Sequence, residues 1–182
     1  MMPPGAWYIW MLQTGRGFGK TRTCAETVLE LVEAGEVSRI GVLAPTAAVA
    51  RDVVVEGQSG IINCSPPWFK PHYESSKRRI SWPNGVRLKL FSSEDPELIR
   101  GDELDFLWIE EACALKHPEK CFSNAFFALR LGSNPRCIIS TTPKRRHVIL
   151  RQIAQIKKKK PASVIVTRGH TLENKSNLAE SS

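Results

Sequence analysis

The stretch Thr14-Gly15-Arg16-Gly17-Phe18-Gly19-Lys20-Thr21 constrains this chain more than any other. It follows an apolar run, Trp7-Tyr8-Ile9-Trp10-Met11-Leu12, and opens a segment from Thr23 to Ala34 with helical patterning. Strand, glycine-rich turn, Lys-Thr and helix, in that order, are the context of a phosphate-binding loop. Glycines let the backbone curl so that several N–H groups converge on an anion, and the helix N-terminus adds partial positive charge. On this reading Gly15, Arg16, Gly17, Phe18, Gly19, Lys20 and Thr21 cradle a nucleotide. Lys20 reaches its β- and γ-phosphates, and the Thr21 hydroxyl ligates Mg²⁺. The general pattern has Gly at the position held here by Thr14. The plain alternative is a turn before a helix that binds nothing.

The patterning around the loop repeats. Ile40-Gly41-Val42-Leu43-Ala44 reads as a second buried strand ended by Pro45, with Thr46 placed to cap a helix from Ala47 to Glu56 and Gly57 to Gly60 breaking it. Residues 20–34 read as the first helix, with Gly35 at its C-terminus. Strand, helix and strand in alternation indicate an α/β fold with a mostly parallel sheet flanked by helices. Residues 63–77 read as irregular. Ile80-Ser81-Trp82 and Val86 to Phe91 alternate across Pro83-Asn84-Gly85, which predicts an antiparallel hairpin near 78–92 that extends one side of the sheet. Further strands are expected at Leu104 to Ile109, Arg136 to Ser140 and Ser163 to Thr167. A partly interrupted helical region leads to Arg130, and a basic helix spans Lys144 to Lys157.

Glu110 and Glu111 close an apolar strand, where open α/β sheets place their ligand crevice. In a nucleoside triphosphatase the first such acid holds Mg²⁺ and the second polarises the attacking water. The first is ordinarily Asp, so Glu110 brings one extra methylene. At the end of the next strand, Ser140-Thr141-Thr142-Pro143 offers hydroxyls that can bond a γ-phosphate or the water and relay its loss. An ordinary pre-proline turn is the alternative, as a solvated surface pair is for the two glutamates.

Charge narrows the partners. The formal net charge is +8, and basic residues gather from Lys144 onward, including Lys157 to Lys160. That balance favours a polyanion such as nucleic acid, or simply a solubilising surface. The five cysteines are odd in number and contain no C-x-x-C pair, which fits a reduced cytosolic protein. Cys113, His117 and Cys121 recur every four residues and would share a helix face. A metal site and buried thiols are both open, with Pro118 interrupting the spacing. No run reaches the ~18–20 apolar residues of a membrane span, and the start lacks a basic signal-peptide region.

Many short stretches, in order, resemble the ATPase domain of the large terminase subunit of tailed bacteriophages and gene transfer agents. They include Pro3-Pro4-Gly5 with Trp7 and Trp10, Gly15 to Thr23, Ala44-Pro45-Thr46, Pro67-Trp68-Phe69, Ser76 to Arg79 with Trp82 to Gly85, and Arg100-Gly101. They continue with Trp108 to Glu111, Leu129 to Gly132, Thr141-Thr142-Pro143, and Thr167 to Gly169 with Thr171 and Asn174. The resemblance implies an ASCE-type P-loop nucleoside triphosphatase fold over residues 1–170. It also implies a polar tail, 171–182, that starts a linker toward a nuclease domain. It implies a motor that uses ATP and Mg²⁺ to pump double-stranded DNA into a procapsid. The motor would work as a homo-oligomeric ring in the host cytoplasm, against a portal protein and with a small terminase subunit. Arg16 would sense the γ-phosphate, Glu110 would hold the metal and Glu111 would be catalytic. Thr141 and Thr142 would couple hydrolysis to DNA movement, and Arg100 is a charge-stabilising candidate in cis or across a subunit boundary.

Three departures qualify the match. Glu110 replaces Asp. Cys24 stands where such chains often carry Gly, so its bulk is expected to press on the sheet. The chain ends before any nuclease carboxylate cluster, so no nuclease activity is expected of it, and the adenine-contacting Gln that precedes Pro-Pro-Gly is missing. An inert prophage remnant is the alternative function. A GTPase is disfavoured because Asn174-Lys175-Ser176-Asn177 ends in Asn, and a helicase because no second motor domain follows.

Overall fold

Four apolar side chains in a row leave β1 (Ile9–Thr14) no polar face to turn to water, so it must lie inside a sheet covered on both sides. The computed structural model describes residues 2–169, and there β1 pairs in parallel with β7 (Arg136–Thr141) on one side and β8 (Val164–Gly169) on the other. The polar tail expected over 171–182, with Thr171 and Asn174, lies outside the described residues. Two further strands, β2 (Arg39–Ala44) and β6 (Phe106–Ile109), pair in parallel with each other, and β6 joins β7. A three-strand ribbon completes the sheet: β3 (His72–Glu74), β4 (Arg79–Ser81) and β5 (Arg87–Ser92) pair antiparallel, and β5 lies parallel to β2. The order across the eight strands is β3-β4-β5-β2-β6-β7-β1-β8. This is the mostly parallel α/β architecture expected, with the hairpin on one edge. Gly85, at φ +90°, occupies the turn position that disfavours any side chain.

Helices cover both faces. α1 (Lys20–Glu33) buries Cys24, Ala25, Val28, Leu29, Leu31 and Val32 against one face. Its end is closed by Gly35 at φ +70°, whose N–H reaches Val32 O at 3.1 Å while Glu36 N–H reaches Leu31 O at 3.0 Å. That reciprocal pair satisfies carbonyls a helix end leaves open. On the other face α5 (Pro118–Ala128) and α6 (Val148–Lys159) pack Cys121, Phe122, Ala125, Ile149 and Ile153 over Ile109 and Ile139. Strand alternation divides the core accordingly: Phe106 and Trp108 face α1, Leu107 and Ile109 face α5.

Several expectations shift. The helix expected over 47–56 is α-helical only in α2 (Ala47–Val49), which Thr46 caps by accepting from Val49 N–H at 3.1 Å. The segment continues as a π-helical turn, Ala50–Val55. Gly57 and Gly60 lie against the carbonyls of this turn, where no side chain would fit. A Cβ on Gly57 would meet Val53 O at 2.5 Å, and one on Gly60 would meet Val54 O at 2.8 Å. Residues 63–77 are not wholly irregular, since α3 (Ile61–Cys64) runs into them and β3 adds to the ribbon. The strand expected from Leu104 begins at Phe106, because Leu104 bridges to Leu129 and fills the space left by Gly41. The basic helix starts at Val148, capped by His147, rather than at Lys144.

Candidate active site

The loop between β1 and α1 turns on Gly17 (φ +75°) and Gly19 (φ +76°). Thr14 is no defect in it. The residue is the last of β1, paired with Gly169, so its backbone is extended and needs no glycine. What it supplies is a carbonyl, which accepts from Lys20 Nζ at 3.2 Å. Lys20 is buried to 8% exposure and also donates to Gly15 O at 2.9 Å and the Thr142 hydroxyl at 3.3 Å. Its ammonium lies 3.5 Å from Glu111 Oε1.

Glu110 leaves the end of β6 with only 2% of its surface exposed. Three donors meet its carboxylate: the Thr21 hydroxyl at 2.8 Å on Oε1, and Ser140 Oγ at 2.6 Å and Trp108 Nε1 at 2.9 Å on Oε2. Burial pushes this carboxyl above its ordinary value. The three donors pull it back down, and the neighbouring Glu111 adds to the rise. The extra methylene relative to Asp is therefore used, since Glu110 spans from Thr21 on α1 to Trp108 and Ser140 in the sheet. Ser140 serves twice, because its oxygen also accepts from Glu111 N–H at 3.0 Å.

Glu111 turns out of the strand through a left-handed backbone, φ +45° and ψ 58°. A non-glycine residue there carries strain on the order of 1–3 kcal/mol, which surrounding contacts must hold. Thr142 does much of that holding: its N–H donates to Glu111 Oε2 at 3.0 Å and its hydroxyl to Oε1 at 3.1 Å. Thr141 instead pins the next turn, its hydroxyl accepting from Cys113 N–H at 3.1 Å. The two glutamates thus part at the strand end. Glu110 faces inward to Thr21, and Glu111 faces an open cavity of about 480 Å³ lined by residues 16–22 and, opposite, Asp52, Gln58 and Ser59.

The structure brings together Gly15 to Thr21, Glu110, Glu111, Thr141 and Thr142. Arg16 stands exposed on the cavity rim. Arg100 is not brought in. It ends α4 (Glu97–Arg100) beside the entry of β6, its guanidinium 5.6 Å over the Phe127 ring, while the glycine loop lies at the exit ends of the strands. No cis role fits that position. Cys113, His117 and Cys121 do not share a helix face, because α5 starts at Pro118 and His117 before it is left-handed. Cys113 and Cys121 are buried, and no group of three His, Cys, Asp or Glu side chains among the described residues could hold a metal ion. Cys24 is accommodated without exposure, and burial followed by the nearby Glu110 carboxylate raises its thiol well above the ordinary value. Sequence reasoning gave Trp108 and Ser140 no role at Glu110. For Trp108 the signal was available, since residues two apart on a strand share a face.

Residues 11–178 match the family model for the terminase large subunit, T4likevirus-type, N-terminal. This chain belongs to that family. Among solved structures, the large terminase of a thermophilic bacteriophage in complex with ADP aligns with TM-score 0.75 and 13% identity, over 95% of this chain and 42% of that one. The HK97 bacteriophage large terminase gives TM-score 0.70 and 20% identity over 91% and 36%. The ATPase domain of the Thermus phage P74-26 large terminase gives 0.64 and 14% over 94% and 84%. The terminase chain spans under half the length of the ADP-bound and HK97 proteins but most of the P74-26 domain. None of the curated protein sequences compared with it matches.

Proposed function

We propose that this chain is the ATP-hydrolysing motor domain of a phage-type large terminase, spanning residues 1–170, that couples turnover to translocation of double-stranded DNA. The observation that carries the proposal is one convergence. Lys20, Thr21 and Glu111 line one cavity beside a glycine loop, and directly behind them Glu110, at the end of β6, bonds Thr21 while Thr142, just past β7, bonds Lys20 and Glu111. The family match and the ADP held by the thermophilic-phage relative support a nucleotide in that cavity.

Each residue has a task its geometry suits. The loop N–H groups and Lys20 neutralise the β- and γ-phosphates. Thr21 Oγ1 and Glu110 Oε1, 2.8 Å apart, are the hard oxygens that would hold Mg²⁺, while Oε2 of Glu110 is already engaged by Trp108 and Ser140. A Mg²⁺ held by these two oxygens would supply charge neutralisation to the nucleotide phosphates. Glu111, a third exposed and facing the cavity, accepts the proton of the attacking water. Arg16 on the rim, or Arg100 of a neighbouring subunit, answers the charge that develops in transfer. Thr142, bonded twice to Glu111, registers the change and passes it along β7, with Thr141 pinning the adjoining turn. A ring of such subunits, working in the host cytoplasm with a portal protein and a small terminase subunit, completes the reading. No helix among the described residues is long and apolar enough to cross a membrane.

Glu111→Gln tests the assignment. It keeps ATP binding and loses turnover in a steady-state phosphate-release assay, whereas undiminished release in that variant overturns it. The intact arrangement of Lys20, Thr21 and Glu111 argues against an inert remnant.

A further inference from the structure

The edge of the sheet farthest from β8 carries a second charged surface, at the opposite ends of the strands from the phosphate loop. Register partners across neighbouring strands share a face. One row on the ribbon therefore reads His72, Ser81, Arg87, Arg39, and the next reads Glu74, Arg79, Lys89, Gly41. The residues between them, Ile80 and Leu88, point into the core on the α1 side. On the other face Arg39, Arg87 and Lys89 stand exposed around an open cavity of about 350 Å³.

The charges here are unbalanced. Glu74 holds Lys77 at 2.8 Å and Arg79 at 2.7 Å, and Asp102 holds Lys89 at 2.8 Å. Glu103 is drawn away to Arg130. Arg39 and Arg87 lie side by side in register on adjacent strands, and neither guanidinium has a hydrogen-bond or ion-pair partner among the described residues. Arg79 and Lys89 form a second like-charge cross-strand pair. Like charges directly opposite on a sheet are destabilising; Glu74 and Asp102 offset this for Arg79 and Lys89, whereas the Arg39–Arg87 pair is left for an anion from outside the chain to meet.

We infer that this face is a phosphate-backbone contact for duplex DNA, with Arg39 and Arg87 as its centre. Guanidinium forks match phosphate oxygens bidentately. Strands about 4.8 Å apart space the cations so that more than one phosphate of a backbone can be met at once. The chain's formal net charge of +8 favours a polyanion over an acidic patch of modest size. The inference rests on the proposed DNA-translocating function for its choice of polyanion. It places a DNA contact where the ribbon's β5 meets β2, away from both the nucleotide cavity and the basic end of α6.

The test is binding of labelled duplex DNA to the whole chain, followed by fluorescence anisotropy across a salt series. The paired variant Arg39→Ala/Arg87→Ala loses affinity on the order of 10–100-fold near ~0.1 M salt, regardless of DNA sequence. Its slope of log K against log salt falls by about 2, roughly one per lost phosphate contact. Arg39→Lys/Arg87→Lys retains most of that slope. The alanine pair keeps the parent's thermal midpoint or exceeds it, because a like-charge pair has been relieved. Unchanged affinity and slope in the alanine pair overturn the inference. So does a change in self-association with duplex binding intact, which makes the face a contact between copies of the chain. A parent chain that binds no duplex also overturns it. The motor reading is judged separately, by phosphate release from the unsubstituted chain, so the two can fail independently.

Discussion

Lys20 Nζ lies 3.5 Å from Glu111 Oε1, and the Thr142 hydroxyl touches both, accepting from the lysine at 3.3 Å and donating to the glutamate at 3.1 Å. The proposed phosphate-binding cation and the proposed water-activating carboxylate thus hold each other through a residue at the end of the neighbouring strand. A nucleotide that draws Lys20 toward its phosphates takes a partner from Glu111, so the two steps are linked through Thr142. Lys20→Ala removes the charge and the link together. The expected outcome is a fall in ATP turnover on the order of 10²–10³-fold, the usual cost of losing one charge-stabilising donor. Steady-state phosphate release measures it, with nucleotide affinity by calorimetry showing a parallel loss.

Ser140 is the residue through which β7 governs both glutamates. Ser140→Ala leaves Glu110 Oε2 with Trp108 alone and leaves the Glu111 N–H without its 3.0 Å acceptor. A buried hydrogen bond to a charged group is worth about 1.5–3 kcal/mol. Denaturant unfolding should therefore show a loss of about that size. A stability change below ~0.5 kcal/mol means that water or a shifted Glu110 replaces the hydroxyl.

Much of this arrangement is legible in the sequence. β1, β2 and β7 are buried on both faces, so their uninterrupted apolar runs locate them, and Asn84-Gly85 between alternating segments locates the ribbon's turn. The loop is legible because glycine and Lys-Thr spacing encode a backbone shape. What escapes the sequence depends on tertiary contact. β3 is three residues long, His72–Glu74, and exists because β4 offers it hydrogen bonds. The π-helical turn at Ala50–Val55 carries no apolar pattern that separates it from an α-helix, and the glycines at 57 and 60, whose Cβ atoms would meet its carbonyls, signal only where it stops. The left-handed Glu111 has no local signature, since that conformation favours Gly, Asn or Asp, and it is held by Thr142, 31 residues away at the end of another strand. The role of Arg39 and Arg87 requires strand register, which no single-segment pattern contains.

His147 gives α6 a pH dependence. Its Nδ1 accepts from Ile149 N–H at 3.3 Å, a cap that only the neutral ring can make. Burial, then the nearby Lys144 and Arg151, holds its folded value below the ordinary one. The unfolded chain therefore binds the proton more readily. The cap's contribution is present above about pH 6.5, and it is lost as pH falls through that unfolded value toward the lower folded one. Circular dichroism melts from about pH 7.5 to 5.5 should show the midpoint of the parent falling more steeply than that of His147→Asn, whose side chain caps without titrating in that range. Equal slopes would remove the cap as the cause.

The last prediction concerns how the loop is seated. Phe18 lies over Gly169, the final residue of β8 and the register partner of Thr14, so closely that a Cβ there would overlap the ring. The ring atoms are the nearest neighbours such a Cβ meets, so Phe18 is what must move. Gly169→Ala displaces the ring and, through it, the backbone between Gly17 and Gly19. Overpacking of this kind costs about 1–3 kcal/mol. If the loop bears about 1 kcal/mol of it, affinity for a non-hydrolysable ATP analogue drops roughly five-fold. Phe18→Ala opens the space, so adding Gly169→Ala to it should have no further effect. Titration calorimetry on the four members of this cycle decides the matter: penalties that add in the double variant would show that Gly169 acts on the loop by a route other than Phe18.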